Sequence, residues 1–201
     1  MRPPDARTMR PGHDPAFRMH LTPAFQSLSP AARRGLWLAS VAAAVAYSVF
    51  LRDQGAPLLE WMTRGIVTLE LPGDPETAQR LIDALGERGR AVATVQVQLD
   101  FVFLLLYPLA FSTSAALLAT QVRGLVSRAC DVTARLVWLA APLDAIENLA
   151  ILKMLAGYTA TPWPQLSTAC AAVKFAIVGI AALALVAGLL AWAARRAVRK
   201  D

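Results

Sequence analysis

Four runs of apolar residues, at about 35–51, 92–119, 136–155 and 166–194, organise this chain, and the polar connections between them are very unequal in length. Each run meets or approaches the ~20 residues a helix needs to cross a bilayer. Ser29-Pro30 opens the first with a side-chain cap and a proline where no N–H is required. Its Ala39, Ala42, Ala43 and Ala46 recur at helical spacing, a small-residue stripe expected to pack on a neighbouring helix. Pro108 in the second run predicts a kink, and Pro142 stands early in the third.

The connection of residues 52–91 is the longest, and it has helix signals of its own. Residues 57–67, with Leu58, Leu59, Trp61, Met62, Ile66 and Val67, read as a short helix or hairpin lying at the membrane interface. Asp74-Pro75-Glu76-Thr77 then supplies a cap and an acidic first turn, Leu81, Ile82 and Leu85 an apolar stripe, and Gly86 or Gly89 a stop. Residues 1–29 carry five prolines and no sustained period, so this arm is expected to be disordered. The pattern predicts an all-α fold: an up-and-down four-helix transmembrane bundle over residues 30–198, with an extracytoplasmic helical connection between spans one and two.

Composition agrees: 56% of the 201 residues are hydrophobic and 17% charged, far from the balance of a soluble domain. The net charge of +6 sits beside the apolar runs rather than on one phosphate-binding face, so nucleic acid is not expected as a partner. Arg33, Arg34 and four further arginines precede span one, Arg123, Arg128 and Arg135 follow span two, and Arg195, Arg196, Arg199 and Lys200 close the chain. On the other side, Arg52, Arg64, Arg80, Arg88 and Arg90 are diluted by seven acids, with Lys153 beyond them. The asymmetry predicts a multi-pass protein of the bacterial inner membrane with both termini cytoplasmic.

Cys130 and Cys170 fall near the starts of spans on opposite sides and form no C-x-x-C, so a thiol–disulfide enzyme is not indicated. His13 and His20 both lie in the N-terminal arm, which leaves no histidine pair for a metal, and no nucleotide fingerprint or internal repeat is present. No cofactor is expected.

The chemistry concentrates in charged and amide groups inside the apolar runs. Asp144, Glu147 and Asn148 stand at i, i+3 and i+4, on one face of the third helix, Lys174 lies in the fourth and Asp100 in the second. Counted from the extracytoplasmic ends at about 1.5 Å per residue, Glu147, Lys174 and Asp100 lie about 15, 12 and 10 Å deep, with Asp144 deeper. A charge at such depth costs several kcal/mol unless it pairs, so these residues are expected to meet, with Lys174 between Glu147 and Asp100. One base does not balance three carboxyls; a proton, water or a ligand head group has to complete the site. Tyr107 and Arg90 are accessory candidates, Arg90 as an anchor or anion attractor at the helix mouth. Ser112, Thr113 and Ser114 are expected to back-bond or to join helices.

Residues 81–90 (LIDALGERGR), Leu99-Asp100-Phe101 and Tyr107-Pro108, then Pro142-Leu-Asp-Ala-Ile-Glu-Asn148 and Lys174, resemble a group of small four-span bacterial membrane proteins over roughly residues 70–180. The resemblance implies the topology and the same choice of residues; it implies no reaction. Three functions fit the residues: a site binding protons or a small polar or amphipathic ligand and opening to the extracytoplasmic side; an intramembrane acid–base enzyme acting on a lipid or isoprenoid; or a non-catalytic assembly partner. A purely structural salt-bridge network is the fourth reading. Membrane lipid is the expected partner in all of them, and a homo-oligomer is compatible with each.

Overall fold

The computed structural model describes residue 25 and residues 27–198, so the arm expected to be disordered falls almost wholly outside the described residues. Among the described residues all regular structure is helical: α1 (Pro30–Gly55), a 3-10 turn (Ala56–Glu60), α2 (Val67–Glu70), α3 (Pro75–Gln121), α4 (Gly124–Leu136), a second 3-10 turn (Val137–Leu139), α5 (Ala140–Leu155) and α6 (Trp163–Val198). Three stretches are long and apolar enough to cross a membrane: residues 30–60, 75–121 and 163–198.

The ends form for local reasons. Ser29 Oγ accepts from the Ala32 N–H, and both Asp74 carboxylate oxygens bond Thr77, one through its backbone N–H and one through its hydroxyl. Those bonds hold the Asp74 carboxyl below its ordinary range. α3 is broken once, at Gly86, whose φ of 58° lies in the left-handed region that favours glycine. The expected stop at Gly86 is therefore present, but a new helix starts immediately and carries on through Pro108 to Gln121.

The third apolar run folds as a composite. α5 alone has 16 residues, a length of about 24 Å, short of the hydrocarbon core. Pro142 has no N–H to donate to the carbonyl of Trp138, and the chain around Trp138 tightens into the 3-10 turn that joins α4 to α5. The hydroxyl of Ser112 in α3 donates to the Ala134 carbonyl beside this junction.

α1 and α3 meet in reversed register. Trp37 Nε1 donates to Ser114 Oγ (3.0 Å), and Tyr47 OH donates to the Leu99 carbonyl (2.8 Å), so the start of α1 lies on the end of α3. Ser40 and Thr113 hydroxyls bond at 2.9 Å between the same helices. Ser112 thus joins helices, Ser114 back-bonds to the Ala110 carbonyl while receiving Trp37, and Thr113 back-bonds to Leu109. α5 packs chiefly on α6 and α3.

Polarity is inverted relative to a soluble protein. Leu183 is 72% exposed and Ile180, Leu190 and Leu105 also face outward, while Ser112, Asp144, Glu147, Asn148 and Lys174 are buried. Apolar-out, polar-in packing is stable against lipid and costly against water.

Two expectations change here. Ala39, Ala42, Ala43 and Ala46 face outward; α1 turns Trp37, Ser40 and Tyr47 to α3 instead, because hydrogen-bonding groups gain more from a partner than methyls do. Residues 57–67 are not wholly peripheral: Leu58 and Met62, with Leu69, are buried with Ile82, Leu85, Val97, Ile151 and Met154 in one cluster, while Leu59, Glu60 and Arg64 stay exposed. The connection folds inward and plugs one end of the bundle.

Candidate functional site

Lys174 is the hub. Helical side chains lean toward their own N-terminus, and α6 begins at the plugged end, so the Lys174 stem points up toward the plug. Its Nζ donates to Asp144 Oδ1 and to Glu147 Oε1, both at 2.9 Å. A third carboxylate arrives from above: Glu70 Oε2, at the end of α2, lies 3.7 Å from the same ammonium. Glu147 is fully buried, Asp144 nearly so, and the Glu70 side chain is 13% exposed.

Asp144 and Glu147 share the hub for the reason their i, i+3 spacing suggested, and Asn148, one turn on from Asp144, faces α3. Asn148 Nδ2 donates to Asp100 Oδ2 at 2.8 Å, which makes an amide, not Lys174, the immediate partner of Asp100. The expected bridge from Lys174 to Asp100 is thus replaced by an Asn148–Asp100 pair beside the cluster around Lys174. Asp144, placed deeper by counting along the helix, lies as close to Nζ as Glu147 does, because a lysine reaching from its backbone spans both turns.

Tyr107 is buried beside Asp144, although its hydroxyl finds no hydrogen bond of ordinary length. Arg90 stands outside the constellation: its Nε donates to the Gly86 carbonyl and closes the break in α3. Glu70 is the residue that sequence reasoning missed. In the sequence it is one of seven acids diluting the positive charge of a long loop, yet it sits in Val67-Thr-Leu-Glu-Leu71, an acid inside an apolar run like Asp144.

The plug is fastened to α6. Ser167 Oγ donates to the Glu70 carbonyl (3.1 Å), and the Gly73 N–H donates to Thr168 Oγ1 (2.9 Å). Gly65 and Gly73, with φ of 55° and 77°, bracket the segment. Burial pushes the Glu70 carboxyl above its ordinary range, against the pull of Lys174.

Charge balance is the main chemical fact of the site. Three carboxyls, Glu70, Asp144 and Glu147, surround one ammonium, with Asp100 on Asn148 beside them, and two buried oxygens, Glu70 Oε2 and Glu147 Oε2, receive no hydrogen bond. The site is short of positive charge relative to its carboxyls. Among the described residues no cluster of histidine, cysteine, aspartate and glutamate has the arrangement of a metal site, and Cys130 and Cys170 are both free and buried.

Asn148→Leu should remove the donor that Asp100 uses. A loss of about 1–2 kcal/mol is expected, by thermal unfolding in neutral detergent, and Asp100→Asn in the same chain should recover part of it.

The long apolar helices are compatible with a helical membrane protein, and charged residues are buried among them. Compared with known families, curated proteins and solved structures, the chain matches none.

Proposed function

We propose that the chain is a four-span, up-and-down protein of the bacterial inner membrane with both termini cytoplasmic, and that its buried acidic centre binds a positive charge: a proton, exchangeable for the cationic head of a small amphipathic molecule. The reversed register of α1 and α3 supports the topology, with α4, the 3-10 turn and α5 together as the third span. The basic residues at one end of the bundle, Arg33, Arg34, Arg123, Arg128, Arg195 and Arg196, support the orientation.

The observation that carries the reading is the pair of donorless oxygens on Glu70 and Glu147 around a single shared ammonium. A buried carboxylate oxygen without a donor is costly, and a proton held between the two carboxyls removes that cost together with one excess charge. An amine head group supplies the same charge and up to three donors. An anionic ligand would add to the imbalance. Among small polar or amphipathic ligands, the charge balance favours one with a cationic head.

The α2 segment is the cover through which exchange occurs, because it brings Glu70 and is hinged between two left-handed glycines. Its pH dependence follows from the raised Glu70 pKa. An acid that holds its proton more tightly when the segment is closed binds more protons closed than open. Closure is therefore most stable below the ordinary value of 4.5 and weakens as pH rises through the raised folded value. Amide hydrogen exchange of residues 66–73 should accelerate with rising pH beyond its intrinsic base catalysis, and Glu70→Gln should abolish that excess. Protection that is independent of pH after correction, or unchanged in Glu70→Gln, refutes the cover.

A further inference from the structure

At the end of the molecule away from the plug, α1 and α6 each pack on α3 but not extensively on each other. Between them runs a groove of about 670 Å³. α3 forms its floor with Leu117, Leu118 and Gln121; α1 contributes Arg34 and Trp37, and α6 contributes Leu185, Leu189, Trp192 and Arg196. The spacing 185, 189, 192, 196 puts leucines, then an indole, then a guanidinium along one face of α6. On α1, Arg34 and Trp37 repeat the order of charge outermost and indole next.

The Arg196 guanidinium stacks over the Trp192 ring at 4.5 Å, which fixes its position at the groove mouth. Arg195 Nη1 donates to the Gln121 carbonyl (3.0 Å) and ties the end of α6 to the end of α3. Among the described residues no acidic side chain lines the groove. The ion pairs among the described residues involve Lys174 and Arg135, so neither Arg34 nor Arg196 is neutralised by a carboxylate there.

We propose that this groove binds an anionic membrane lipid, with an acyl chain against the leucines of α3 and α6 and the phosphate between Arg34 and Arg196. Charge complementarity selects the sign of the head group, and the apolar floor beneath it selects an amphiphile over a free anion. The two tryptophans lie where indoles sit at a membrane–water boundary. Residues 1–24 of the chain, with four arginines and two aspartates, have the wrong sign to fill the groove, and so does the same basic end of a second copy.

The test uses the full chain in a neutral detergent and native mass spectrometry with dioleoyl phosphatidylglycerol or dioleoyl phosphatidylcholine added. Phosphatidylglycerol should be retained in preference to phosphatidylcholine. Arg34→Gln and Arg196→Gln should each weaken that preference about fivefold, as expected for roughly 1 kcal/mol per arginine near an anionic head group. Leu189→Trp should exclude the lipid without changing the charge, and inorganic phosphate should not displace it. Arg123→Gln with Arg128→Gln, basic residues of the same end outside the groove, should leave the preference intact. Equal retention of the two lipids, a preference that survives loss of both groove arginines, one that falls equally with Arg123 and Arg128, displacement by inorganic phosphate, or a second copy occupying the groove would each overturn the proposal. Single substitutions at exposed Arg196 keep the test readable if the double variant does not fold.

Discussion

Replacing Lys174 with Met is expected to destabilise the protein by about 3–5 kcal/mol, the range for removing one partner of a buried ion pair. The ammonium is bonded at 2.9 Å to both Asp144 and Glu147 and lies 3.7 Å from Glu70, so its removal leaves three carboxyls with no cation. Thermal or denaturant unfolding in neutral detergent measures the loss. Restoration separates this cause from lost packing: Lys174→Met combined with Glu147→Gln should be more stable than Lys174→Met alone, and adding Asp144→Asn should restore more. The two single carboxyl substitutions in the wild-type background should cost much less than Lys174→Met, because each relieves an excess of negative charge. A Lys174→Met protein that melts like wild type, or one that the carboxyl substitutions do not rescue, contradicts the role given to the hub.

The second large effect is expected at Gly188, where α6 approaches α3 and α4. A Cβ there would lie 3.0 Å from Cys130 Sγ and 3.1 Å from Leu118 Cδ1, tighter than ordinary contact on two sides. Cys130 is itself held, its Sγ 3.6 Å from the Ala184 carbonyl, and it is fully buried. Gly188→Leu should therefore cost about 3 kcal/mol, the upper end of overpacking, and separate α6 from α4. Gly188→Ala should cost less than Gly188→Leu, and Gly188→Ala combined with Cys130→Ala less than Gly188→Ala alone, since the sulfur is the nearest obstacle. Melting temperatures of the three variants in one detergent check the order. Gly179, on the same helix, has nothing within 4 Å of its would-be Cβ, and Gly179→Leu is the control expected to leave stability nearly unchanged.

The helices were legible in the sequence because their signals are local. Ser29-Pro30 and Asp74-Pro75 each start a helix, Gly86 breaks one, and three of the four apolar runs lie inside helices long enough to cross a membrane. Asp144, Glu147, Asn148 and Lys174 stood out because a charge or amide inside an apolar helix is costly unless it meets a partner in the bundle interior. Features set by tertiary contact were not legible. The inward fold of residues 56–70 depends on Leu58, Met62 and Leu69 meeting Ile151 and Met154, which lie more than eighty residues away along the chain. The outward turn of the α1 alanines follows from Tyr47 and Ser40 finding partners on α3.

Glu70 is the instructive case. Its chain neighbours Leu69 and Leu71 mark it as an acid in an apolar run, but the run is too short to be a span, so depth in the bilayer does not single it out as it does Asp144. Once the plug is folded, Glu70 joins the centre from outside the spans, and the excess of carboxyls over ammonium rises by one. With Asp100 satisfied by Asn148, the remaining imbalance is concentrated on Glu70 and Glu147.

A proton held at this pair has a direct signature, the C=O stretch of an un-ionised carboxylic acid, which ionised carboxylates lack. Infrared difference spectra of the protein in lipid, recorded as pH is raised from about 4 to about 9, should show that band persisting above the range where ordinary glutamates ionise. It should be lost in Glu147→Gln and altered in Glu70→Gln. A spectrum in which the band disappears with the ordinary carboxyls near pH ~4–5, or is unchanged by both substitutions, would contradict a proton-binding centre at Glu70 and Glu147.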